Sequence, residues 1–155
     1  MLRRLAMTLI APIAFLAAAT PALAQADGII RVRSAYSMPE TIARIKQDVA
    51  AKGIMFFSEV DQAALAAGAG VKLRPSTLLT FGNPPLGTLF ITAKAEAGLD
   101  WPVRLLITQD DDGAVWAVYT DFKWIAARHG IRDRDREFAT ATGVIASITS
   151  SVAAH

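Results

Sequence analysis

The stretch Val103-Arg104-Leu105-Leu106-Ile107-Thr108-Gln109-Asp110-Asp111-Asp112-Gly113-Ala114-Val115-Trp116-Ala117-Val118-Tyr119-Thr120 decides the fold class. Two runs rich in β-branched and aromatic residues, Val103 to Thr108 and Ala114 to Thr120, flank an acidic tip closing on Asp112-Gly113, which is the pattern of a β-hairpin. Hairpins make antiparallel sheets. In a chain that also carries helical periodicity, such a sheet takes its helices on one face rather than as crossovers on both, so the expected class is α+β.

Ahead of the hairpin, Ile29 to Ala35 alternates apolar and polar residues with the period of a half-buried strand. Ser37 and Glu40 form a capping-box pattern with Pro39 in the first turn, and Met38, Ile42, Ile45 and Val49 then share one helical face. Glu40, Arg44, Asp48 and Lys52 recur every four residues on another face, a charge ladder of alternating sign suited to water. Gly53 ends this helix as a left-handed cap, and Ile54 to Val60 reads as a strand. Asp61 caps a short alanine-rich helix through Ala67, Gly68 and Gly70 break it, Val71 to Leu73 is extended, and Thr77 to Phe81 is a further strand. The segment Gly82 to Gly87 reads as a loop before a helix from Thr88 to about Ala97. Beyond the hairpin, Asp121 caps a helix ending at Gly130. A last helix, opened by Asp133 or Asp135, sets Phe138, Ala141, Ile145, Ile148 and Val152 at alternating three- and four-residue steps. Its other side carries Ala, Ser and Thr, which suits either a homodimer contact or a low-charge surface.

The N-terminus has the layout of a cleavable signal peptide over residues 1–24. Arg3 and Arg4 supply the charge, and the apolar run from Leu5 to Ala19 is short for a membrane span. Pro21 breaks the run. Ala22-Leu23-Ala24 puts small residues at the cleavage position ahead of Gln25, with Ala24-Gln25-Ala26 as the alternative and an uncleaved anchor as the rival reading. Residues 25–155 are then one domain, periplasmic or secreted, with no membrane association after cleavage. Sixteen basic residues less Arg3 and Arg4 leave fourteen against fourteen acidic ones, so net charge gives no argument for a nucleic-acid partner. The chain has no cysteine, which removes disulfides, thiolate metal sites and thiol nucleophiles. About 130 residues are enough for one self-sufficient core.

From Ser34 to Ile131 several short motifs occur in a characteristic order. They are Thr41, Lys52-Gly53-Ile54, Val60-Asp61, Leu73-Arg74-Pro75, Phe81-Gly82-Asn83-Pro84-Pro85-Leu86-Gly87-Thr88, Leu99-Asp100-Trp101-Pro102 and Ala127-Arg128-His129-Gly130. The chain resembles the family called domain of unknown function 302. The resemblance implies a TATA-binding-protein-like α+β fold, often dimeric, with no settled activity. Where that family commonly has Ile-Asp-His, this sequence reads Val60-Asp61-Gln62, which removes an imidazole that acid–base or metal chemistry would use.

Candidate site residues are few. Gly82 to Thr88 is placed like a phosphate loop, but Thr88 stands where lysine belongs, and Pro84 and Pro85 remove two backbone donors. What survives is a helix N-terminus at Gly87-Thr88 that, with Arg74, can hold a carboxylate or other small anion; a rigid Pro-Pro turn is the plainer reading. His129 is a candidate general base beside Asp61 or Asp121, or a ligand-binding partner of Tyr119 and Asn83; the plainer role is to cap the last helical turn. Asp110, Asp111 and Asp112 fail the calcium-loop pattern at Ala114 and Val115, and read as a solvated tip. Ser34, Ser37, Ser58 and Ser76 lie in no nucleophile motif, and Trp101, Trp116 and Trp124 suit core packing as well as a pocket wall. A single histidine is a poor metal or haem site.

The expectation is therefore an exported, non-catalytic module binding a small anionic ligand or a protein partner, with no catalytic residues, metal or cofactor assigned. The ligand-binding candidates are Arg74, Asn83, Gly87, Thr88, Tyr119, His129 and Asp61. The alternative is a hydrolase or lyase using His129 with Asp61.

Overall fold

The computed structural model describes residues 27–154; the signal-peptide reading over residues 1–24 lies outside the described residues. The elements, in chain order, are β1 (Ile29–Arg33), α1 (Met38–Ala51), β2 (Met55–Asp61), α2 (Gln62–Gly68), β3 (Ser76–Gly82), α3 (Pro84–Ala93), a 3-10 turn (Ala95–Asp100), β4 (Val103–Gln109), β5 (Val115–Thr120), α4 (Phe122–His129) and α5 (Asp135–Ser150). The strands form one five-stranded antiparallel sheet in the order β1-β5-β4-β3-β2. The fold is α+β.

The hairpin that organises the sheet is held by its first acidic residue. The Asp110 carboxylate accepts from the Ala114 amide at 2.8 Å and from the Trp116 indole N–H at 2.9 Å, while Gly113 takes the left-handed conformation at φ +82°. One carboxylate thus replaces the ladder bonds lost in the turn and pins the first aromatic of β5. The Trp116 hydrogen bond, followed by bonds from the backbone, holds the Asp110 carboxyl below its usual range.

Strand alternation sends Leu79, Phe81, Leu105, Ile107, Val115 and Ala117 to one face, where they meet Ile45 and Val49 of α1 and Ile145 and Ile148 of α5. Leu79, Leu105, Ile107, Ile45 and Ile148 are fully enclosed, and each such side chain contributes roughly 1.5–3 kcal/mol of burial. Phe90 stacks on Phe138 with ring centroids 4.3 Å apart, tying α3 to α5. The opposite face of the sheet has a register-matched row, Val60–Leu78–Leu106–Val118, whose members are only half-buried.

Two local expectations change. The capping box of α1 does not close: Ser37 makes no side-chain cap, and Glu40 turns to Arg44 at 2.9 Å. The buried Thr41 hydroxyl bonds the Ser37 carbonyl and the Ser34 hydroxyl instead, at 2.8 and 2.7 Å, because a buried hydroxyl left unpaired is worse than an open cap in water. The expected helix from Thr88 to about Ala97 starts four residues earlier, at Pro84, and gives way to the 3-10 turn after Ala93. Prolines hold φ near the helical value and lack only the N–H that a first turn does not use, so Pro84-Pro85 open the helix rather than delay it. The last helix begins at Asp135 with Arg134 at its cap position, and its fifth apolar residue, Val152, is buried just past the helix end.

Candidate functional site

Asp100 ends the 3-10 turn with its side chain only 3% exposed. Three basic side chains close around it. His129 Nε2 lies 2.7 Å from Oδ2, Arg104 Nη2 donates to Oδ1 at 2.8 Å, and Arg128 Nη1 bridges both oxygens at 3.3 and 3.2 Å. The local sequence explains the convergence. Arg104 follows Asp100 by four residues on entry to β4, whereas Arg128 and His129 arrive together in the last turn of α4. That turn is ended by Gly130 at φ +64° with Ile131 N–H returning to the Ala126 carbonyl, which fixes the direction of the imidazole's helix. A buried carboxylate needs this many donors, since an ion taken from water without partners is strongly disfavoured. The space beside the cluster, along Val103, Thr120 and Phe122, is about 10 Å³, room for no more than one water.

The next residue, Trp101, lays its indole on two glycines. A Cβ added at Gly87 would stand 1.8 Å from the indole nitrogen, and one at Gly82 2.9 Å from it. Close approach of an aromatic ring is thus the reason for both glycines in Phe81-Gly82-Asn83-Pro84-Pro85-Leu86-Gly87. The indole forms one wall of a cavity of about 450 Å³ between α3, α5 and the end of β3. Ile54, Phe81, Leu86, Val103, Phe122 and Val144 give it an apolar interior, and Lys52, Asn83, Thr140 and Ser147 are its polar members. The Asn83 side chain does not cap α3. The uncharged second side of α5, Thr140, Gly143, Val144 and Ser147, faces this space.

The seven candidates read from sequence do not converge. Asn83 and Gly87 reach the cavity. Thr88 is exposed on the outside of α3 and donates to the Pro84 carbonyl at 2.8 Å. The anion site expected at Gly87-Thr88 has no donors to offer: Pro84 and Pro85 carry none, and the Leu86 and Gly87 amides both return to the Asn83 carbonyl at 3.1 and 2.8 Å. Arg74 is across the molecule on the loop before β3, paired with Asp111 of the hairpin tip at 3.0 Å. Tyr119 stands on β5 against the core, where burial raises its phenol above the ordinary range. Asp61 caps α2 by accepting from the Ala64 amide at 2.9 Å. It pairs in register with Thr77 at the end of the sheet far from Phe56, Phe81 and Val103, the level at which Trp101 lies, so it does not meet His129. The His129 partner is Asp100, which the sequence reading passed over together with Arg104. The signal was present as two motifs, Leu99-Asp100-Trp101-Pro102 and Ala127-Arg128-His129-Gly130, but nothing in their spacing joins them.

Among known proteins, the chain is similar over 82% of its length to 99% of an uncharacterized conserved DUF302 protein from Bacillus stearothermophilus, in a crystal structure matching with a TM-score of 0.75 at 16% identity. It is 39% identical over 105 residues to a chain named fluoride-specific ion channel FluC 1 of Brucella suis, and equally to the FluC 1 of Brucella abortus. Those matches cover 68% of this chain but only 41% and 39% of the relatives, so the matched part is about two-fifths of their length. No described helix is long and apolar enough to cross a membrane. The family model for domain of unknown function DUF302 matches residues 30–152, and the chain belongs to that family.

Proposed function

We propose that this protein is an exported, non-catalytic module that takes a small, largely apolar ligand into the cavity beside Trp101. The carrying observation is the cavity itself: about 450 Å³, apolar inside, with Asn83 placed to receive one polar end and Lys52 at the rim paired with Asp48 at 2.7 Å. A carboxylate end would also satisfy the anionic preference expected from the sequence. Against a hydrolase or lyase stands the separation of His129 from Asp61, and the enclosure of the Asp100–His129 pair by two arginines with no room for a substrate. Export rests on Arg3, Arg4, the apolar run and Ala22-Leu23-Ala24. N-terminal sequencing of protein recovered outside the cytoplasm tests it, and an intact Met1 there refutes cleavage.

Decanoate, an apolar chain with one carboxylate, is the probe of choice, followed by Trp fluorescence and thermal stability. We expect single-site binding that raises Tm with ligand concentration and is weakened about tenfold by Val144→Phe, which fills the cavity. Binding unchanged in that variant, with the fold intact by circular dichroism, rejects the reading. Sodium fluoride is the second probe, prompted by the name of the longer relatives. A fluoride-dependent stabilisation lost in Asn83→Ala moves the assignment to a small anion.

The homodimer implied by the family resemblance is best accommodated on the bare sheet face, where Val60, Leu78, Leu106 and Val118 lie half-exposed. Leu106→Lys places a charge at the centre of that row. A dimer in sedimentation that becomes a monomer in the variant supports this surface; a monomeric parent excludes it.

A further inference from the structure

A groove of about 990 Å³ lies at the end of the sheet away from Trp101, under the first turns of α1. Strand alternation puts Thr77, two residues before Leu79, on the face that α1 covers. Thr77 is 5% exposed, and its hydroxyl has no hydrogen-bond partner among the described residues. No fully buried side-chain polar atom among those residues lacks a partner, so this oxygen opens into the groove that Thr77 lines. The other buried hydroxyls there are committed, Ser34 to Thr41 and Ser76 to Gln62, each at 2.7 Å. Valine would fill the same place without a polar atom to satisfy, so packing does not account for a threonine here.

Asp61 is the register partner of Thr77 across β2 and β3, so the two side chains stand next to each other on one face, about 5 Å apart at Cβ. Asp61 also lines the groove. Its Oδ1 accepts from the Ala64 amide, and the carboxylate has no cation partner among the described residues. Glu59, two residues earlier, is answered by Lys46 of α1 at 2.6 Å, which places these acids on the α1 side of the sheet. The positive groups nearby are kept away. Arg33 leaves the opposite face in register with Trp116, and Arg44 is taken by Glu40 at 2.9 Å. The start of α1 lies beside β5, where the Ser34 amide bonds the Val115 carbonyl, three strands from β2 and beyond the reach of a helix terminus. Met38, Ile42, Leu73 and Pro75 supply apolar walls.

We infer that Asp61 and Thr77 hold the ammonium group of a small aliphatic amine, with its alkyl stem along Met38, Ile42 and Leu73. An ammonium brings three donors to a free carboxylate oxygen and an unpaired hydroxyl, whereas one carboxylate and one hydroxyl fall short of the six or more oxygens that calcium takes. This site is separate from the cavity beside Trp101. Hexylamine is the probe, with 1-hexanol as its uncharged counterpart, titrated by calorimetry at pH 7 into the parent and into Val144→Phe, whose other cavity is filled. In Val144→Phe hexylamine binds one to one and about tenfold more tightly than 1-hexanol. Adding Asp61→Asn, which keeps the cap of α2 and removes the charge, brings the amine down to the level of the alcohol. Thr77→Val, folded by its urea midpoint, weakens the amine about fivefold, and Thr77→Ser restores it. Equal binding of amine and alcohol, a preference that survives Asp61→Asn, parent-like affinity in Thr77→Val, or no binding at millimolar concentration overturns the inference. So does amine binding that is present in the parent and lost in Val144→Phe, which assigns the amine to the cavity beside Trp101.

Discussion

The imidazole Nε2 of His129 lies 2.7 Å from Oδ2 of Asp100, twenty-nine residues earlier in the chain, and the two side chains are 6% and 3% exposed. This contact joins the end of α4 to the turn that enters β4, and it converts the one histidine among the described residues from a candidate base into a clamp. Arg104 and Arg128 reach the same carboxylate from the surface with their own side chains 51% and 43% exposed. Solvent weakens their share, so most of the holding force is assigned to the buried pair.

Asp100→Ala should therefore be severe. It leaves a buried imidazole and two guanidinium groups without their acceptor, and removing one partner of a buried ionic cluster costs about 3–5 kcal/mol, here discounted toward the lower figure for the exposed arginines. Urea unfolding followed by circular dichroism measures it. A loss under about 1 kcal/mol means that the cluster is ornamental to stability.

Gly87→Ala tests the indole platform. The new methyl would sit 1.8 Å from the Trp101 nitrogen, so the ring must move, and overpacking of this kind costs about 1–3 kcal/mol. The displaced indole is expected to show red-shifted emission. An unchanged spectrum and stability contradict the packing described for Gly82, Gly87 and Trp101.

Asp61 separates capping from charge. Asp61→Ala removes the bond to the Ala64 amide and is expected to lower stability by about 1 kcal/mol, whereas Asp61→Asn should cost only a few tenths, since both side chains cap well. Equal losses in the two variants, read from urea midpoints, assign the effect to charge and reject the cap.

Asp110 gives the fold an acid sensitivity. Its folded-state pKa is lowered, first by the Trp116 indole, so its contribution to stability is present above the ordinary carboxylate range and fades as pH falls through the lowered value. Between about pH 5 and pH 2 the parent should lose more stability than Asp110→Asn. Parallel curves for the two proteins remove this role from the hairpin.

Much of the architecture was legible because it is local. The alternation of Val103 to Thr108 and Ala114 to Thr120, the turn chemistry of Asp110 to Gly113, and the caps at Gly53 and Gly130 act within a few residues, and the structure keeps them all. Pro84-Pro85 is ambiguous for a local reason too: two prolines suit a loop as well as a helix start, and the packing of Phe90 on Phe138 adds to the helical φ of the prolines to favour the helix. The site was not legible. Of the seven candidates, only Asn83 and Gly87 meet in one cavity, and the residues that complete its walls come from the turn after α1, from β3, α3, β4, α4 and α5, and from Trp101.

The order of the residues alone determined a cysteine-free α+β chain with an antiparallel sheet, because hydrogen-bonding period and turn preference are properties of neighbours. Which acid faces His129, which ring rests on Gly87, and which ends of the sheet carry an apolar cavity or a charged groove were decided by tertiary packing. Those relations join residues well separated in the chain, and only burial, which forces every charge and hydroxyl taken from water to find a partner, selects among the pairings that sequence leaves open.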